Sequence, residues 1–117
     1  MGLSTHVLDT MHGCPAAGMA VELFAITPAG ATSLKRFALN DDGRFSGGLV
    51  LGPAELQAGN YRLLFAVGDY FRGRGVALPQ PAFLDQVPLD FGVADPALHY
   101  HVPLLVSPWS YSTYRGS

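Results

Sequence analysis

Three of the four histidines in this 117-residue sequence lie in segments whose composition predicts β-strands. His6 lies within residues 3–9, and His99 and His101 are two residues apart in His99–Val106. Because strand side chains alternate between two faces, His99 and His101 should share a face, roughly 7 Å apart. Imidazole titrates near neutral pH, so the cluster suits general acid–base catalysis. Three imidazoles equally suit a catalytic zinc ion, and the spacing alone leaves both possibilities open.

Arg44 is the candidate for binding a carbonyl group or an anion. It follows Asp42-Gly43, a strong hairpin signal, and should open a short return strand. Its guanidinium is a planar fork of donors, although an arginine at a strand start is more often simply solvated. The final residues would ordinarily fray. The alternation in residues 110–114 instead predicts that a last strand continues towards Ser117.

Two further reactive side chains are expected to be uninvolved. His12 lies beside Gly13 in a predicted loop and should be solvated. Cys14 precedes Pro15 and has no charged neighbour in the sequence that would activate its thiol, so it is expected to be inert.

Short apolar runs between 14 glycines and nine prolines predict an all-β sandwich or barrel. Antiparallel pairing is expected, because the connections are too short for helical crossovers. Pro88 and Pro103 should lie at an edge or a bulge, since proline cannot donate to a ladder. One short helix is predicted over residues 68–75. The predicted strands cover residues 3–9, 19–26, 32–39, 44–45, 60–67, 83–93, 99–106 and 110–114.

The composition bounds the classes of protein that remain. A chain of this length predicts one domain over residues 1–117. The hydrophobic fraction is 49%, yet no apolar run approaches the roughly 20 residues of a membrane helix. The surplus apolar surface therefore predicts an oligomer. A net charge of −2 with seven scattered Lys and Arg residues argues against binding nucleic acid. A single cysteine and no visible signal peptide favour a cytoplasmic location.

The motifs that carry a family resemblance lie mainly at the two ends of the chain. They resemble those of the 5-hydroxyisourate hydrolase family, transthyretin-like enzymes of urate breakdown. The matching segments are Leu3-Ser4-Thr5-His6-Val7-Leu8-Asp9, Cys14-Pro15-Ala16, Gly43-Arg44-Phe45, His99-Tyr100-His101-Val102-Pro103-Leu104-Leu105-Val106-Ser107-Pro108 and Tyr111-Ser112-Thr113-Tyr114-Arg115-Gly116-Ser117.

The resemblance implies a fold, an assembly and a reaction. The fold would be a prealbumin-like sandwich of two four-stranded sheets with one short helix. The assembly would be a homotetramer, a dimer of dimers, with active sites at the dimer–dimer interface. The reaction would be hydrolysis of 5-hydroxyisourate to 2-oxo-4-hydroxy-4-carboxy-5-ureidoimidazoline, without a metal or another cofactor.

The resemblance also implies roles for individual residues. His6 or His101 would accept a proton from the attacking water, and Arg44 would stabilise the developing negative charge. Ser117 would be catalytic as well. Substrate binding would involve His6, Arg44, His99 and Tyr114.

Three other interpretations compete with this one. The first is a carrier of hormone or another small ligand on the same fold, although the hormone carrier lacks the histidines and the Tyr-Arg-Gly-Ser end. The second is a zinc hydrolase that uses His6, His99 and His101 as ligands. The third is a purely structural domain.

Overall fold

The computed structural model describes all 117 residues, which form eight strands and one helix. The sheets have the orders β2-β1-β7-β8 and β4-β3-β5-β6. The predicted all-β sandwich of two four-stranded sheets with one short helix is therefore confirmed. The elements are β1 (Gly2–Asp9), β2 (Cys14–Pro15), β3 (Ala20–Thr27), β4 (Gly30–Ala38), β5 (Gly59–Ala66), α1 (Val67–Gly73), β6 (Gln86–Val93), β7 (His99–Val106) and β8 (Tyr111–Thr113).

Side-chain alternation on β1 and β7 divides the core from the opposite face of their sheet. Val7 and Leu104 are fully buried in a hydrophobic core of 23 residues between the sheets. Burying a side chain of this size contributes about 1.5–3 kcal/mol. Ser4, His6 and His101 alternate with such core residues and are only partly buried. The apolar packing that holds the sandwich together therefore also fixes which face carries the polar cluster.

The pairing of β1 with β7 corrects the expectation of antiparallel strands. These two strands run parallel, and Ser4 lies opposite His101 while His6 lies opposite Pro103. The argument from short connections holds only for strands that follow one another directly. The chain between β1 and β7 builds the whole second sheet, which gives it ample length to return in the parallel direction.

The two strand prolines have different positions. Pro88 lies in the edge strand β6, as predicted. Pro103 lies in β7, which is an interior strand, so its prediction was wrong. The β7–β8 ladder begins at Leu104, which lies opposite Thr113, and Thr113 is the last residue of β8. The Thr113 hydroxyl donates to the Pro103 carbonyl at 2.7 Å, so a side chain bonds the proline where the ladder stops.

The turn before Arg44 closes with the hydrogen bonds of a hairpin turn: the Asn40 N–H donates to the Arg44 carbonyl at 2.8 Å, and the Gly43 N–H donates to the Asn40 carbonyl at 2.9 Å. Asn40 Oδ1 accepts hydrogen bonds from the backbone N–H groups of Asp42 and Arg44, both at 3.0 Å. Gly43 has a positive φ of 72°, and a Cβ there would lie 2.6 Å from the Val7 carbonyl oxygen. The predicted return strand at residues 44–45 is absent; Arg44 forms only an isolated bridge, to His6 in β1.

Other predicted bounds need smaller corrections. The helix covers Val67–Gly73 instead of 68–75, and the strand expected from residue 83 begins at Gln86. The last strand ends at Thr113, and the short strand β2 was not predicted.

A buried carboxylate, Asp9, anchors the loop after β1. It accepts hydrogen bonds from the His12 backbone N–H at 2.9 Å, His12 Nδ1 at 2.6 Å and the Tyr70 hydroxyl at 2.8 Å. Burial alone would raise the pKa of Asp9, but the bonds from His12 and Tyr70 outweigh it and hold the pKa below its ordinary value. Burial and the bond to Asp9 raise the pKa of Tyr70 to about 12. The prediction that His12 is merely solvated was therefore wrong.

The surroundings of Cys14 also differ from the expectation. Arg74 Nη1 lies 3.4 Å from Cys14 Sγ and 3.3 Å from the Tyr70 hydroxyl oxygen. A charged group therefore does lie beside the thiol. The sequence could not indicate this contact, because it joins Arg74, which follows α1, to the distant strand β2.

Replacing Asp9 with alanine should lower the free energy of unfolding by about 3 kcal/mol at neutral pH, because the Tyr70 hydroxyl loses its buried acceptor. Since the folded-state pKa of Asp9 lies below its unfolded value, this stabilisation exists above about pH 4 and disappears as the pH falls through the folded-state pKa. Urea titrations of the wild-type protein and the variant should converge in acid. Asp41→Ala, at an exposed position, is the control. Equal stabilities at neutral pH would contradict this role.

Candidate active site

The partly buried outer face of β1 and β7 brings three polar side chains together. The parallel register sets Ser4 beside His101, and His99 lies two residues before His101 on the same face. Ser4 Oγ is 2.8 Å from His101 Nδ1 and 3.0 Å from His99 Nε2. One hydroxyl group therefore connects the two imidazole rings of β7.

Arg44 is held next to this face by the bridge to His6. The Val7 N–H donates to the Gly43 carbonyl at 2.9 Å, which fixes the turn against β1. The Arg44 residue remains exposed. Its positive charge acts on both His6 and His101, so the guanidinium belongs to the same electrostatic environment as the two rings.

The two imidazoles nearest Arg44 are biased towards their neutral forms. Burial, followed by the charge of Arg44, lowers the pKa of His6; the backbone and the negative charge of Asp42 partly offset this. Burial, Arg44, His6 and His99 together lower the pKa of His101. At neutral pH both rings are therefore available to exchange a proton with a substrate or a water molecule.

The tail pairs with β7 through Gly116. The Gly116 N–H donates to the His101 carbonyl at 2.8 Å, and the His101 N–H donates to the Gly116 carbonyl at 3.3 Å. A Cβ at residue 116 would lie 3.0 Å from His101 Cδ2 and 3.1 Å from His101 Cβ. A side chain at this position would push the ring or the tail aside by a few tenths of an ångström. The tail is therefore ordered against the histidine that the sequence singled out, and Ser117 follows directly.

The two residues before Gly116 have other surroundings. Arg115 Nη2 donates to the His99 carbonyl at 3.1 Å, and its guanidinium lies 4.5 Å from the centre of the Tyr100 ring. Tyr114 is 60% exposed and lines a cavity of about 470 Å³ at the open side of the sandwich, between β6 and β8. The cavity is lined by Pro88, Leu89, Asp90, Phe91, Gly92, Tyr100, Val102, Tyr111, Thr113, Tyr114 and Arg115.

The predicted site residues are thus partly brought together. His6, Arg44, His99 and His101 share one region, and Gly116 carries the tail to it. Tyr114 lines a different cavity instead of the histidine face. The sequence indicated no role for Ser4, although the alternation of β1 already placed it on the face of His6. Only the register with β7 reveals its contacts.

No group of three or more His, Cys, Asp or Glu side chains has a geometry that could hold a metal ion. The three histidines are therefore not arranged as a set of zinc ligands. The seven-residue α1 is far too short to cross a membrane, and no other helix is present that could do so.

The family model described as "HIUase/Transthyretin family" matches residues 3–116. The chain belongs to the HIUase/Transthyretin family. This membership confirms the resemblance seen in the end motifs. It covers both functional branches of the fold, so the choice between enzyme and carrier depends on the site and on the individual relatives.

Curated relatives favour the enzyme branch. The chain is 60% identical over 115 residues to the 5-hydroxyisourate hydrolase of Ralstonia nicotianae, covering 98% of this chain and 97% of the relative. It is 57% identical over 115 residues to the 5-hydroxyisourate hydrolase of Mesorhizobium japonicum, covering 98% and 91%.

Solved structures include both branches. Klebsiella pneumoniae 5-hydroxyisourate hydrolase matches with a TM-score of 0.79 and 33% identity over the full length of both chains. (S)-allantoin synthase matches with a TM-score of 0.92 and 48% identity; the match covers 99% of this chain but only 43% of the synthase. Sea bream transthyretin in complex with thyroxine matches with a TM-score of 0.84 and 26% identity, covering 99% and 95%.

Proposed function

We propose that this chain is an enzyme that hydrolyses 5-hydroxyisourate to 2-oxo-4-hydroxy-4-carboxy-5-ureidoimidazoline in urate degradation. The observation that carries the proposal is the placement of two imidazoles with lowered pKa values beside the Arg44 guanidinium. Adding water to a carbonyl needs a neutral base and a fixed positive charge, and this face supplies both. The names of the relatives at 57% and 60% identity support the same reaction.

The roles of the side chains follow from the chemistry of ring opening. A neutral imidazole, of His6 or His101, takes a proton from water as the oxygen forms a bond to a ring carbonyl carbon. The Arg44 guanidinium donates hydrogen bonds to the carbonyl oxygen and stabilises its developing negative charge. The carbon–nitrogen bond then breaks, and the same proton passes to the departing nitrogen.

The tail contributes to this site because it lies next to His101. Gly116 lies against His101, so we propose that the Ser117 hydroxyl reaches the water or the substrate. Arg115 fixes the tail to the carbonyl of His99. The position of Tyr114 in the neighbouring cavity favours an anchoring role over the direct substrate contact expected from the family. His99 would bind substrate from beside His101.

The carrier alternative is supported by likeness of fold alone. Sea bream transthyretin shares the architecture at 26% identity. A carrier has no need of neutral imidazoles beside a guanidinium, so the site favours the hydrolase. The test is whether the protein accelerates the decay of 5-hydroxyisourate, and a carrier would bind small molecules without doing so.

We also propose a homotetramer, a dimer of dimers, that acts in the cytoplasm and carries its sites at the dimer–dimer interface. Exposed aromatic surface supports the association: Phe83 and Trp109 stack on each other and are 67% and 60% exposed. Covering such a patch with a second subunit would remove it from water. Sedimentation equilibrium should give four times the chain mass of 12.4 kDa.

A further inference from the structure

We propose that Ser4 is a positioning residue that fixes the hydrogen of His101 on Nε2, which makes His101 a neutral donor to the substrate and leaves His6 as the general base. The inference rests on the hydrolase function proposed above and deepens it. It starts from the contacts of Ser4 Oγ, 2.8 Å from His101 Nδ1 and 3.0 Å from His99 Nε2.

The hydrogen count of the hydroxyl limits the possible arrangements. A serine hydroxyl has one hydrogen to donate and two lone pairs that accept. If Ser4 bonds both rings, it can donate to only one of them, and the other ring must donate to Ser4. The protonation of the two facing nitrogens is therefore linked: when one carries a hydrogen, the other accepts the hydrogen of Ser4.

The two distances favour one direction along this chain of bonds. In hydrogen bonds to oxygen, O–H donors commonly lie about 2.7–2.8 Å from the acceptor and N–H donors about 2.9–3.0 Å, and we expect the same order here. The shorter contact is to His101 Nδ1 and the longer one is to His99 Nε2. His99 Nε2–H therefore donates to Ser4, and Ser4 O–H donates to His101 Nδ1.

The consequence for His101 concerns its other nitrogen. A neutral ring that accepts at Nδ1 carries its hydrogen on Nε2. Burial and the charges of Arg44, His6 and His99 lower the pKa of His101, which keeps the ring neutral at neutral pH. His101 Nε2 makes no hydrogen bond within the chain, so it is free to donate to a substrate oxygen next to Arg44.

His6 is then the ring left to accept the proton of water. No side chain of the protein bonds the His6 ring, and the backbone of Asp42 only partly offsets the lowering of its pKa. A neutral imidazole has one ring nitrogen with a free lone pair, and the pKa of His6 is lowered chiefly by burial and next by Arg44. Two rings with similar environments thus acquire opposite roles, because Ser4 bonds the His101 ring and no side chain bonds the His6 ring.

The first test is spectroscopic and needs no substrate. Side-chain ¹⁵N NMR of the full chain at mildly alkaline pH distinguishes protonated from unprotonated ring nitrogens. In the wild-type protein we expect His101 and His99 to carry their hydrogens on Nε2. In Ser4→Ala, His101 should give averaged shifts from mixed tautomers, and Ser4→Thr should restore the wild-type pattern. A wild-type His101 with its hydrogen on Nδ1 would overturn the proposal, whether or not the protein is a hydrolase.

The second test is kinetic. Ser4→Ala should lower kcat for 5-hydroxyisourate by about ten- to a hundredfold, with a much smaller change in KM, by analogy with the loss of residues that orient metal-binding histidines. Ser4→Thr keeps the hydroxyl and should retain most of the activity. Ser33→Ala is the matched control, because Ser33 lies in β4 of the other sheet and bonds only Glu22 through its side chain.

Several outcomes of these tests would overturn the proposal. Unchanged kcat in Ser4→Ala, a loss confined to KM, or equal losses in the alanine and threonine variants would each overturn it. If Ser4→Ala fails to fold, the wild-type tautomer and the threonine variant still decide. A wild-type protein without hydrolase activity would reject the proposed function, while the NMR result would still report on Ser4.

Discussion

Replacing Arg44 with alanine should lower kcat/KM for 5-hydroxyisourate by about a hundred- to a thousandfold while leaving the fold intact, because it removes a donor that stabilises the transition state. The fold should survive because Arg44 is exposed and makes no side-chain hydrogen bond within the chain. Its backbone contributes the bridge to His6, and the turn is held by the Asn40 side chain. Steady-state kinetics and a urea titration measure the two effects separately.

Two variants sharpen this test. Arg44→Lys keeps the charge but loses the planar fork, so it should recover only part of the rate. Arg36→Ala removes an exposed arginine that pairs with Glu22 on the other sheet, and it should leave kcat/KM unchanged. A similar loss in both alanine variants, or none in either, would contradict the assignment of Arg44.

Arg44→Ala should also change the proton affinity of His6 and His101. Arg44 lowers the pKa of both His6 and His101, so its removal should raise both values. NMR titration of the histidine ring protons measures the shifts without relying on the residual activity. His12, which bonds Asp9 and lies outside the candidate site, is the internal reference. Unmoved titrations of His6 and His101 would show that Arg44 lies too far away to act on them.

Deletion of residues 114–117 should lower kcat/KM by about a hundredfold or more, since misplacing a reacting group by about 1 Å already has an effect of this size. The deletion removes the Gly116–His101 bridge, the bond from Arg115 to the His99 carbonyl, and the Ser117 hydroxyl. The segment adds no residue to the buried core, so the protein should still fold. Near-normal activity would disprove the role given to the tail.

Single substitutions separate the parts of the tail. Gly116→Ala places a Cβ 3.0 Å from His101 Cδ2 and should reduce the rate by moving either the ring or the tail. Ser117→Ala removes only the hydroxyl and should reduce kcat. Ser112→Ala changes an exposed serine of β8 whose side chain makes no hydrogen bond, and it should behave like the wild-type protein.

Local periodicity accounts for what the sequence could predict. Alternation in β1 and β7 correctly separated His6, His99 and His101 from the core, because one face of each strand must be buried. The same rule explains why the sandwich was expected from short apolar runs. These inferences need only neighbouring residues in one segment.

Contacts between distant segments account for what it could not predict. Ser4 meets His101 only because β1 and β7 pair in parallel, in a register set by the packing of the whole sheet. Arg44 reaches His6 because the turn that follows β4 packs against β1 of the opposite sheet. Asp9 looked like an ordinary strand-end carboxylate, yet it is fully buried beneath Tyr70 of α1. The family resemblance assigned roles to several residues but left the contacts of Ser4 and Asp9 unseen.

The decay of 5-hydroxyisourate itself shows most directly whether this chain is a hydrolase. Urate oxidase generates the compound from urate, and its ultraviolet absorbance then falls spontaneously. Adding this protein should accelerate the fall in proportion to its concentration, whereas Arg44→Ala at equal concentration should give a decay close to the spontaneous rate. A decay unchanged by the wild-type protein would contradict the claim that this chain is a hydrolase.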